Sequence, residues 1–150
     1  MKFRNFREYV NHIKSIINMF EEIITDYILE VNEATPYEGF IRGKLTLING
    51  STLQFLEYIT INKKTGEITT LKYRYNYIDF ENKLIFRYDN APHHPEIPTH
   101  PHHKHLPNGT VTPAEKPTLQ KSYTKYSKPY LKHKLNPTYS SKHLTYLLEA

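Results

Sequence analysis

Between residues 40 and 89 the chain alternates apolar and polar side chains in runs broken by short turn signals, the pattern of antiparallel strands with one covered face. In residues 40–48, Ile41, Leu45 and Leu47 fall on one side, and Arg42, Lys44 and Thr46 on the other. Asn49-Gly50 is a hairpin signal, and Leu53, Phe55, Ile59 and Ile61 share a face of the next run. Setting Leu47 opposite Leu53 and Leu45 opposite Phe55 predicts a three-residue loop with Gly50 or Ser51 left-handed. Residues 63–66 form the next turn. In residues 68–78, Leu71, Tyr73, Tyr75 and Tyr77 face one way, and Lys72, Arg74 and Asn76 the other. A tight turn at Glu81-Asn82 leads into residues 83–89. That turn predicts Tyr77 opposite Phe86, Tyr75 opposite Tyr88, Arg74 opposite Asp89 and Asn76 opposite Arg87, with both faces matched.

Residues 3–20 read as a helix, because Phe6, Tyr9, Val10, Ile13, Ile16, Ile17 and Phe20 recur at three- and four-residue spacing as one apolar stripe. Residues 23–31 are rich in strand formers. The expected architecture is α+β: an N-terminal helix packed on an antiparallel meander of about five strands, followed by an irregular Pro/His loop. Residues 1–115 form the domain, and residues 116–150 a poorly ordered basic tail. The tail carries seven lysines against one acidic residue, whereas residues 1–115 carry 13 basic and 14 acidic ones, so the net charge of +5 belongs to the appendage. Five tyrosines interleave with its lysines, which suits non-specific RNA contact. Cysteine is absent, which excludes disulfides, thiol nucleophiles and Cys-based zinc sites. The chain has no apolar run long enough for a membrane span and no secretory N-terminal pattern, so a cytoplasmic location with no membrane partner is expected. Exposed tyrosine-rich strand faces would allow a homodimer.

Six of the nine histidines lie within residues 93–105, interleaved with Pro95, Pro98 and Pro101. This block is the candidate working site, and its chemistry has three readings. Imidazole is the commonest metal ligand near neutral pH, and the prolines limit the entropy lost on chelation; His100, His102, His103 and His105 are the candidate ligands, although no fixed zinc spacing is present. No cofactor is therefore predicted, with a divalent metal on this loop as the exception. The second reading is acid–base cleavage of an RNA phosphodiester without a metal. His93, His94, His102, His103 and His105 would supply base and acid, and Asp89 would orient one of them. Arg74, Arg87, Lys72 and Lys104 would hold phosphate, Tyr73 and Tyr75 would stack bases, and Asn90 would assist. The third reading is a solvated loop beside an Arg74–Asp89 cross-strand ion pair.

Residues 71–75 (LKYRY), 84–96 (LIFRYDNAPHHPE) and 101–105 (PHHKH), with residues 39–55 and Glu57-Tyr58 upstream, resemble the TumE family of small prokaryotic toxins. The resemblance covers roughly residues 5–120. It implies a toxin of a toxin–antitoxin pair, with growth-inhibiting activity and a cognate antitoxin, expected to be a small DNA-binding protein from the adjacent gene. After Pro117-Thr118-Leu119 the chain departs from the family pattern, running on as the Lys/Tyr-rich tail where a short terminal helix is usual. A ribonuclease is the leading reading of the activity. The alternative is a non-enzymatic binding module that inhibits a target or binds metal through the loop.

Overall fold

The Asn5 side chain accepts the Glu8 amide at 2.9 Å and so caps helix α1, Phe6–Met19. The cap and the apolar stripe set the helix start, in a computed structural model that describes residues 1–119. Phe6, Tyr9, Val10, Ile13, Ile16 and Ile17 are all buried. Each such side chain contributes about 1.5–3 kcal/mol when removed from water. The chain divides into two units, Met1–Lys116 and Pro117–Ala150, and the first contains α1, the whole sheet and the histidine block. Most of the expected basic tail lies outside the described residues. Among the described residues no helix is long and apolar enough to cross a membrane.

Among the described residues seven strands follow α1: β1 (Ile24–Thr35), β2 (Glu38–Leu47), β3 (Thr52–Ile61), β4 (Ile68–Ile78), β5 (Leu84–Asp89), β6 (His103–His105) and β7 (Val111–Pro113). They form one sheet in sequence order, with every neighbouring pair antiparallel. The fold is α+β, as expected, but the strand count of about five is too low. Irregular backbone ends at His102, and residues 103–105 return along β5 to extend the sheet. Pro95, Pro98 and Pro101 suppress regular structure only up to that point.

The β4–β5 register places Tyr77 at Phe86, Tyr75 at Tyr88, Arg74 at Asp89 and Asn76 at Arg87, as expected. A register shift after Tyr77 sets Ile78 against Leu84, and the Asp79 amide donates to Lys83, so the turn spans residues 80–82 and not Glu81-Asn82 alone. The β2–β3 register differs from expectation. Leu45 pairs with Leu53, and Gly43 with Phe55, a shift of two residues from the predicted pairing, and the Leu47 amide donates to the Ser51 carbonyl across the turn. The inward faces still match, because a two-residue change keeps the side-chain alternation. The physical reason lies in local bonds. Asn49 Oδ1 accepts the Ser51 amide (3.0 Å) and the Ser51 hydroxyl (2.6 Å), and the Ile48 amide donates to Ile23 instead of across the hairpin. Gly50 supplies the left-handed conformation at φ +80°.

The covered face of the sheet carries Ile41, Leu45, Leu53, Phe55, Ile59, Tyr73, Tyr75, Tyr77 and Phe86, all buried. Tyrosines 73, 75 and 77 are therefore core, which removes the exposed-tyrosine argument for a homodimer. Glu57 falls in the same inward row and is 2% exposed. Its carboxylate accepts from the hydroxyls of Tyr9 and Tyr75 and pairs with Lys116 Nζ at 2.9 Å, so it links α1, β3 and β4.

Candidate functional site

Among the described residues no helix lies on the opposite face of the sheet, and the registers determine which side chains share it. Arg42, Leu56, Arg74, Asp89 and His103 stand in one cross-strand row. Lys44, Gln54, Asn76, Arg87 and His105 stand in the next. Lys72 is opposite Tyr58. Arg42, Lys44, Lys72 and Arg74 are exposed on the face that Asp89 and His103 share, and among the described residues only Arg42 of these has a carboxylate partner, Glu30 at 2.7 Å. Arg74 lines two depressions on this face. One of about 260 Å³ is walled by Leu56, Lys72, Tyr73, Arg74, Arg87, Asp89, Asn90 and Ala91. The other reaches Lys44 and Arg42.

Asp89 is the floor of the site. Its side chain is 6% exposed. Oδ2 accepts from Arg87 Nε at 2.8 Å, and Oδ1 accepts from the Ala91 amide at 3.0 Å. Burial alone would raise the pKa of this carboxyl, but the Ala91 amide, His103 and Arg87 outweigh that and hold it below the usual value. The expected Arg74–Asp89 ion pair is not among those of the described residues, although the two Cα positions are paired.

Four imidazoles close over this floor. His103 and His105 come from alternate positions of β6, and His93 and His94 fold back from the loop after β5. Their candidate ligand nitrogens all lie within 4.8 Å of one another. Ring centroids are 4.4 Å apart for His93–His94, 4.7 Å for His93–His103, 4.8 Å for His103–His105 and 5.7 Å for His93–His105. His103 is 1% exposed and donates Nδ1–H to the Pro101 carbonyl at 2.8 Å. Its Nε2 lies 3.0 Å from Asp89 Oδ1 but makes no hydrogen bond, so distance and alignment disagree; alignment decides, because the interaction weakens steeply off axis. His105 Nε2 accepts from Arg87 Nη2 at 3.0 Å, since a guanidinium only donates. Desolvation first, and then the Arg87 charge, pull the His105 pKa down to about 4, so this ring is neutral at pH 7. The His93 pKa is also lowered, by partial desolvation and then by His94. His94 Nδ1 is 3.0 Å from Glu96.

The remaining expected site residues fall elsewhere. His102 stacks on Tyr73, with its Nδ1 3.1 Å from the phenol oxygen, outside the cage. His100 Nδ1 lies 3.2 Å from the His94 carbonyl. Of the four metal candidates read from the sequence, His103 and His105 are in the cluster, and His93 and His94 take the places of His100 and His102. Tyr73 and Tyr75 are buried in the core, where no base can stack on them. Burial raises the pKa of both phenols. The Asn90 side chain is engaged with β4 backbone: Oδ1 accepts the Tyr73 amide (2.8 Å), and Nδ2 donates to Leu71 (3.0 Å). Lys104 points to the covered side, over the Tyr88 ring at 5.2 Å. Missing from the sequence reading were Lys44 and Arg42, whose place beside Arg74 depends on register. The Pro101 carbonyl, which fixes the His103 ring, was missing too. No local signal marks either.

The sequence profile of a family described as "Toxin TumE" matches residues 13–127. No curated protein and no solved structure matches the chain.

Proposed function

The chain belongs to the TumE toxin family, and from that premise we propose that this toxin cleaves RNA at the histidine cluster. A toxin of this family implies a cognate antitoxin. The observation that carries the ribonuclease reading is the shared wall between the cluster and the cationic depression: Arg87 and Asp89 belong to both. A phosphodiester seated against Arg74, Lys72 and Arg87 would have its negative charge met in the depression these residues line. The neutral His93 ring would accept the 2′-hydroxyl proton. The 2′-oxygen would attack phosphorus, the bond to the 5′-oxygen would break, and His94, oriented by Glu96, would protonate that oxygen. The products are a 2′,3′-cyclic phosphate and a free 5′-hydroxyl. This sequence of steps needs no metal.

The test is purified protein on total RNA, read by gel and by end-group analysis. Cleavage leaving cyclic phosphate ends, reduced at least tenfold in Arg74→Ala and His93→Ala, is expected. Intact RNA from a preparation that still arrests growth would reject the nuclease reading and leave a binding module that inhibits its target without chemistry. Expression with and without the neighbouring reading frame tests the antitoxin.

A further inference from the structure

We propose that His93, His94, His103 and His105 form a binding site for one divalent transition-metal ion of the zinc class. This is the site of the ribonuclease reading, but the metal stands on separate observations and depends on that reading only for its effect on cleavage. The first observation is convergence. A tetrahedral ion with nitrogen ligands at about 2.0–2.1 Å sets those nitrogens about 3.3 Å apart and the ring centroids about 5 Å apart. The cluster has nitrogens within 4.8 Å and centroids between 4.4 and 5.7 Å, so small side-chain rotations close it. The second is the buried Nε2 of His103, which has no hydrogen bond. Its ring is already fixed by the Pro101 carbonyl at Nδ1, the outer contact that orients a metal-ligating histidine. That nitrogen lies 3.0 Å from Asp89 Oδ1, and with the proton on Nδ1 it turns a buried lone pair towards a carboxylate, which is costly unless a cation binds there.

The donor set selects the metal. Four imidazoles suit zinc, nickel or copper, whereas magnesium and calcium need oxygen ligands. Asp89 beneath the rings supplies negative charge without being a necessary ligand, since its oxygens are held by Arg87 and Ala91. Arg87 donates to His105 Nε2, so binding at His105 requires the guanidinium to give up that one contact while keeping Asp89. His93 and His94 come from the loop and His103 and His105 from β6, so a bound ion ties the loop to the sheet. It also occupies the lone pairs that proton transfer needs. Zinc should therefore inhibit metal-independent cleavage.

Calorimetric titration of the chelator-treated full chain with zinc chloride tests the site without RNA. One ion per chain is expected, with no response to magnesium. Binding should weaken at least tenfold in His103→Ala and in His93→Ala. The exposed His93 keeps the test valid if the buried variant does not fold. His12→Asn, on α1 and outside the cluster, should bind as the wild type does. Absence of saturable binding, or unchanged binding in His93→Ala, overturns the site and leaves the RNA reading standing. In the cleavage assay, one equivalent of zinc should suppress product and a chelator restore it. Zinc-stimulated cleavage would instead overturn the metal-free acid–base steps and keep the site.

Discussion

A charged residue at an inward strand position is the sharpest single-residue signal in this chain, and Glu57 is the example. It interrupts the row Leu53, Phe55, Ile59, Ile61, a break visible in the alternation alone. Its partners were not visible, because Tyr9, Tyr75 and Lys116 are separated from it in sequence and meet it only in the folded domain. Removing the carboxylate leaves two buried hydroxyls and an ammonium without their acceptor. Glu57→Ala should cost about 3–5 kcal/mol in urea unfolding, and a loss under about 1 kcal/mol would show that water replaces the carboxylate. The cage follows the same logic. The histidine density was legible, but which four of the six converge depends on how the loop folds back, and spacing alone chose His100 and His102 over His93 and His94. His12 offers a residue-scale test of pH. It packs on Phe3 with ring centroids 5.4 Å apart, and desolvation, then the N-terminal charge, lower its pKa from 6.5. The unfolded chain therefore binds this proton at higher pH than the folded one. The contribution is present above pH 6.5 and is lost as pH falls from there toward the folded pKa. Wild type should lose more stability than His12→Asn between about pH 7 and about pH 5.5 in urea titrations, and parallel curves would remove the burial effect.

At the scale of elements, what was legible depended on whether a turn's geometry is written in its own residues. The β4–β5 pairing was readable because two matched faces admit one register, and the structure has it. The β2–β3 register was misjudged because the Ile48 amide bonds back to Ile23, just before β1, a contact outside the hairpin. β6 was missed because His-Lys-His carries no strand signal; pairing with β5 overrides propensity there. The true β2–β3 register has a consequence that the expected one lacks. It places Gly43 opposite Phe55, and a Cβ on Gly43 would lie 2.2 Å from the Phe55 ring. That ring is 2% exposed and cannot swing away cheaply. Gly43→Ala should therefore cost about 1–3 kcal/mol by overpacking. Adding Phe55→Leu should recover part of that loss, so the double variant falls short of the sum of the single ones. Strict additivity would mean that the two positions do not touch.

At the scale of the whole chain, charge is divided between two regions that RNA could use. The first is the open face of the sheet, with Lys44, Lys72 and Arg74 exposed and without acidic partners among the described residues. The second is the lysine-rich sequence after Lys116, whose six lysines face only one acidic residue. Both would attract a polyanion, so affinity alone cannot separate them. Each phosphate contact on a single strand steepens the dependence of log K on log salt by about 0.7, which makes the slope a count of contacts. Neutralising Lys44, Lys72 and Arg74 to Gln should flatten the slope by about 2, as should neutralising Lys121, Lys125 and Lys128 if both regions contact RNA. Cleavage then separates them. The open-face triple variant should lose turnover even at RNA concentrations that restore occupancy, because Arg74 and Lys72 hold the reacting phosphate. The tail triple variant should recover full turnover once RNA is saturating. If instead the tail variant stays slow at saturation and the open-face variant does not, the reacting phosphate is not held on the sheet, and the placement of the site beside Arg74 is wrong.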